Sequence, residues 1–101
     1  MNKKLNCICW IKNYDGERFD IAGVTIYEKH HKPVYQDELY KELEAPTFRG
    51  VIEKIKNKMT ELGGSPEEFF CLQALSDGEH FYMLKHWNER THEDYVLEPN
   101  Q

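Results

Sequence analysis

Two spacings of apolar residues alternate along this chain, and the change from one to the other marks its elements. Phe48, Val51, Ile52, Ile55, Met59 and Leu62 recur at i, i+3, i+4 and i+7, which puts them on one stripe of a helix. Pro46-Thr47 supplies a stop and an N-cap ahead of that stripe, and Gly63-Gly64 ends it.

On either side the spacing is that of strands. Leu5 to Ile11 and Phe19 to Tyr27 are rich in β-branched, aromatic and cysteine residues and flank Asp15-Gly16, a dipeptide suited to a two-residue hairpin turn. Such a turn sets Cys9 opposite Ala22, Cys7 opposite Val24 and Leu5 opposite Ile26, a wholly apolar face. The reverse carries Ile8, Trp10, Phe19 and Ile21 among Asn6, Lys12 and Thr25. A longer loop changes this register. Around Asp77-Gly78 the same reasoning pairs Ala74 with Phe81 and Leu72 with Met83, and brings Phe70 near Lys85 on the core side. Cys71, Gln73, Leu75, His80, Tyr82 and Leu84 then lie behind.

The remaining segments read less regularly. Gln36 to Glu44, between Pro33 and Pro46, holds Leu39, Tyr40 and Leu43 among carboxylates and reads as a shorter helix or an ordered loop. Ser65-Pro66-Glu67-Glu68 has the capping-box arrangement of a single helical turn. Residues 88–101 form a charged tail with one apolar island, Tyr95-Val96-Leu97, that pairs at a sheet edge or docks.

These elements predict a single α+β domain over residues 1–101. Its architecture is two-layer, a β-hairpin–helix–β-hairpin arrangement that is β-grasp-like: a four-stranded sheet in the order 2-1-4-3 with one long amphipathic helix on one face. One helix hides one sheet face, yet Ile8, Trp10, Phe19, Ile21, Leu75, Tyr82 and Leu84 collect on the other. Either the tail and the Leu39/Leu43 segment fold over them, or they dock a partner.

Composition narrows the kind of partner. The net charge of -5 argues against nucleic acid or an anionic membrane surface as the main partner and permits a basic protein partner, while the apolar face also allows self-association. No apolar run approaches a membrane span, and the one from Cys7 to Ile11 is too short for an export signal. Cys7 and Cys9 lie two apart on one strand and are badly placed to bond each other, so a reducing, cytoplasmic setting is expected.

Catalytic signatures are lacking. There is no Gly-x-Ser-x-Gly elbow, His-Glu-x-x-His, phosphate loop or dinucleotide fingerprint. His30, His31, His80, His86 and His92 with Cys7, Cys9 and Cys71 do not follow zinc-ligand spacing, so no metal and no cofactor is expected.

The leading expectation is therefore a small acidic binding module that acts by contact as an adaptor, inhibitor or neutralising partner. Trp10, Phe19, Ile21, Tyr82 and Leu84 form its docking surface, and Glu89, Glu93 and Asp94 belong to the carboxylate rim. Two rival expectations are a small enzyme or metal-dependent factor using His80, His86 or a cysteine, and a nucleic-acid regulator using Lys54, Lys56 and Lys58.

Overall fold

The computed structural model describes residues 3–14, 19–28, 32–85, 87 and 97–99, with Phe19 described by its backbone alone. In chain order the elements are β1 (Lys3–Tyr14), β2 (Phe19–Glu28), β3 (Lys32–Asp37), α1 (Phe48–Glu61), β4 (Gly64–Leu75), β5 (Gly78–Leu84) and β6 (Leu97–Pro99). The strands make one 6-stranded mixed sheet in the order β3-β2-β1-β4-β5-β6. Among the described residues no helix is long and apolar enough to cross a membrane.

The class is α+β, but the four-stranded β-grasp-like sheet is corrected by the two added edge strands and by the strand order. β1 lies parallel to the first strand of the second hairpin, β4, instead of the last, with partners running from Lys3 and Gly64 to Ile11 and Gln73. The cause lies at the helix exit. Gly63, at φ 78, reverses the chain out of α1 and accepts a hydrogen bond from the Lys3 amide at 3.3 Å, so extended pairing with β1 begins at Gly64. Ser65-Pro66-Glu67-Glu68 is therefore strand and not a helical turn. Gly64 permits this closeness, because a Cβ there would sit 2.3 Å from Leu5 Cδ1.

Of the two expectations for Gln36 to Glu44, the helix does not form, and the ordered loop holds beyond Asp37. The chain enters the segment as β3, paired with β2, and ends the strand at Asp37. The buried Asp37 carboxylate accepts from the amides of Lys41 at 3.0 Å, Glu42 at 3.0 Å and Leu43 at 2.9 Å. Tyr40 donates its amide to the Asp37 carbonyl and adopts φ 47, in the left-handed region. A side-chain acceptor thus takes the amides that helical carbonyls would bind.

α1 forms on the expected stripe. Thr47 Oγ1 caps it by accepting from the Gly50 amide at 3.1 Å, and Val51, Ile52, Ile55 and Met59 are buried against the sheet. Leu5, Cys7, Cys9 and Ile11 of β1, Val24 and Ile26 of β2, and Phe69 and Cys71 of β4 meet them. Phe69 holds the centre of its end of this core, 5.1 Å from the Trp87 ring and 6.0 Å from Phe48.

Both hairpins are registered differently from the expectation. β1 and β2 pair Cys9 with Val24 and Cys7 with Ile26, and the last described pair of their ladder is Tyr14 with Phe19. The Asp15-Gly16 turn lies outside the described residues. In the second hairpin Leu75 pairs with Gly78, so Ser76-Asp77 make the turn, and Leu72 meets Phe81. The shift of two residues keeps each hairpin's own faces. What reverses is the side of β4 that meets the helix: Phe69 and Cys71 point in, while Phe70 and Leu72 point out. A register shift beside Leu5, opposite Pro66, sets this parity.

Candidate functional site

Across the sheet face opposite α1, four residues lie in one row through the ladders: Gly23 of β2, Trp10 of β1, Leu72 of β4 and Phe81 of β5. The next row is Thr25, Ile8, Phe70 and Met83. Leu72 is buried by its neighbours without belonging to the helix-side core, while Trp10 and Phe81 remain 38% and 42% exposed. The ends of the first row differ in relief. Phe81 stands out on β5, and a hollow of about 210 Å³ lies at the other end, bounded by Trp10, Ala22, Gly23, Thr25 and Glu38.

The hollow has a structural origin. Register shifts between Trp10 and Asn13 bend β1 against β2, and the chain leaving β3 passes close to Gly23. A Cβ at Gly23 would meet the carbonyl oxygens of Asp37 and Glu38 at 3.1 Å, so a larger residue there would push the exit of β3 outward by a few tenths of an ångström. Trp10 leans toward β2 and donates its indole N–H to Thr25 Oγ1 at 3.1 Å.

Only part of the docking surface read from the sequence assembles here. Trp10 lies on the open face, but Ile21 turns into the core at the irregularity opposite Ile11. Leu84 is buried on the helix side beside Phe69, and Tyr82 packs there edge-on to Tyr14 with ring centroids 5.1 Å apart. Nothing is described of the Phe19 side chain, and Glu89, Glu93 and Asp94 lie outside the described residues. The second hairpin presents Phe70, Leu72, Phe81 and Met83 instead. Their period of two is plain in the sequence, but it points to the core, which Phe69 and Cys71 fill instead.

The segments expected to cover the face are used elsewhere where they are described. Leu43 joins the helix-side core, Leu97 is buried as the first residue of edge strand β6, and Leu39 is 73% exposed. Tyr95 and Val96 lie outside the described residues.

The three cysteines form a row of free thiols on the helix side, with Cys9 beside Cys71 across the parallel ladder and Cys7 two residues before. Burial raises the Cys7 and Cys71 thiols, and the neighbouring Cys9 raises them further. Burial opposes ionisation of Cys9 too, but hydrogen bonds from Cys7 and Cys71 outweigh it and leave Cys9 the most acidic of the three. All are sealed under α1, so a substrate has no path to a thiolate there. Among the described residues no group of three or more His, Cys, Asp or Glu is arranged to hold a metal ion. His80 is exposed near the end of the second hairpin; His30, His31, His86 and His92 lie outside the described residues.

The basic residues of α1 are engaged within the fold. Lys58 pairs with Glu61 at 3.0 Å and Glu42 at 3.8 Å and sits 4.8 Å from the centre of the Tyr35 ring, whose hydroxyl donates to Glu42. Lys54 donates to the Glu44 carbonyl, and Lys56 is buried. Lys4 shares the parity of Trp10 on the opposite side of the sheet, so the helix does not join it in one positive strip.

Comparison with protein-family models, with curated proteins and with solved structures finds no match to this chain.

Proposed function

We propose that this chain is a protein-binding module of the cytosol that acts by contact, burying the helix-free sheet face against another protein surface. One observation carries the reading. Trp10 and Phe81 are exposed in the same row, around a buried Leu72, on a face that the described parts of the chain leave open. Aromatic side chains in such a position concentrate interface energy, and their mechanism is desolvation followed by occlusion of the partner. Exposed Glu38, Glu68 and Glu79 on this face give the approach its local electrostatic direction. Three free thiols in the core suit a reducing compartment.

Neither rival chemistry has comparable support. The cysteines are enclosed, and Lys54 and Lys58 already satisfy oxygens of the same chain.

The test is a photo-crosslinking amino acid placed at Phe81 in living cells, with the same residue at Glu53 on α1 as control. A discrete protein adduct from position 81 that is lost with Trp10→Ala supports the reading. No discrete adduct from position 81, or the same adducts from position 53, overturns it.

A further inference from the structure

The open face has complementary halves. Its centre lies between the parallel strands β1 and β4, with β2 and β5 as their outer neighbours. A two-fold axis parallel to the strands through that centre lays β1 of one copy over β4 of another, and β2 over β5. Row by row, Trp10 then meets Leu72 of the second copy, and the hollow beside Gly23 meets its Phe81. Each copy supplies one protruding ring and one hollow, and the axis satisfies both at once, as an isologous interface requires.

Each copy carries a net charge of -5, and against that background one exposed pair of opposite sign lies across the axis. Lys4 stands near the start of β1 and Glu68 on β4 in the next row of the same face, both exposed. The same axis carries Lys4 of each copy toward Glu68 of the other.

Resting on the docking reading above, we propose that the occupant of this face is a second copy of the chain, packed sheet on sheet about a two-fold axis that seats Phe81 beside Gly23. Sheets stacked in this way keep their strands within about 30° of alignment, so the matched rows stay in reach near the axis. Six strands spaced by about 4.8 Å give each copy a face on the order of 600 Å². The pair buries roughly 1,200 Å², the lower end of the range for a specific, stable complex, so the dimer is reversible and depends on concentration.

Light scattering on the full chain tests this. The wild type is expected at twice 12.1 kDa, falling toward 12.1 kDa on dilution, with a thermal midpoint that rises with concentration. Phe81→Glu is expected to be monomeric at every concentration with unchanged circular dichroism. Ala22→Phe fills the hollow from the other side and does the same, which keeps the test decisive if one variant misfolds. Leu39→Ser removes a more exposed apolar residue away from the rows and leaves the dimer intact. A monomeric wild type, or a dimer that survives both face variants, overturns the second-copy assignment. A monomeric wild type that still gives an adduct with a different protein from position 81 overturns this assignment alone and preserves the docking reading.

Discussion

The Trp10 indole N–H donates to Thr25 Oγ1 across the first hairpin, at 3.1 Å, on the sheet face opposite α1. The bond fixes the most massive exposed ring of that face and gives its polar atom a partner before any docking occurs. Burial of the indole by a second surface then forfeits no hydrogen bond. Thr25→Val keeps the shape and removes the acceptor. It is expected to weaken association by about 1 to 3 kcal/mol, because docking would bury an orphaned donor, with little change in folding stability. Titration calorimetry by dilution reads the first quantity and urea unfolding the second; equal association would separate the bond from docking.

Adjacent phenylalanines on β4 are expected to differ sharply. Phe69 is fully buried between Phe48 and Trp87, whereas Phe70 lies on the open face and is half-buried. Phe69→Ala is expected to cost about 3 to 5 kcal/mol of stability, and Phe70→Ala well under half of that. Chemical unfolding of the two variants checks the assignment, and the reverse ranking would restore the parity read from the sequence.

The turn after β3 rests on one carboxylate. Asp37→Ala leaves the amides of Lys41, Glu42 and Leu43 without their acceptor and is expected to destabilise the fold by about 3 kcal/mol. Asp37→Asn retains one acceptor oxygen and is expected to lose less. Hydrogen exchange at those three amides should rise in both variants, most in Asp37→Ala.

Alkaline pH is expected to unfold the protein through its tyrosines. Burial pushes the Tyr40 hydroxyl up to about 12. Burial also raises Tyr35, helped by its hydrogen bond to Glu42, and raises Tyr14, helped by Tyr82. An unfolded tyrosine ionises near pH 10, so the folded state binds more protons above that value. Stability is fully present below about pH 10 and falls as pH rises toward 12. Tyr40→Phe should flatten the decline in thermal midpoint measured between those values; an unchanged slope would remove Tyr40 as a cause.

Local chemistry made α1 readable from the sequence, because a stripe of period 3.6 closed by Thr47 and Gly63 has one buried side. The first hairpin was readable as strands, and the inward parity of Leu5, Cys7 and Cys9 followed from their size and apolarity. β3 was not legible. Its six residues run into a carboxylate-rich segment, and only folding brings the Asp37 side chain to the amides of Lys41, Glu42 and Leu43. Edge pairing of the C-terminal apolar island is one of two readings the chain allows, and β6 decides between them at Leu97, where β5 offers an edge.

The candidate site was half legible for the same reason. An excess of apolar side chains on the face opposite the helix followed from the chain alone, and Trp10 was placed on it. Which residues of the second hairpin join Trp10 was decided by the tertiary structure. Phe69 and Cys71 compete with Phe70 and Leu72 on nearly equal hydrophobic terms, and a strand's period of two separates the sets without ranking them. The ranking came from distant partners. Phe48 and Trp87 enclose Phe69, and the shifted pairing at Pro66 aligns Cys71 with Cys9, which leaves Leu72 and Phe81 beside Trp10.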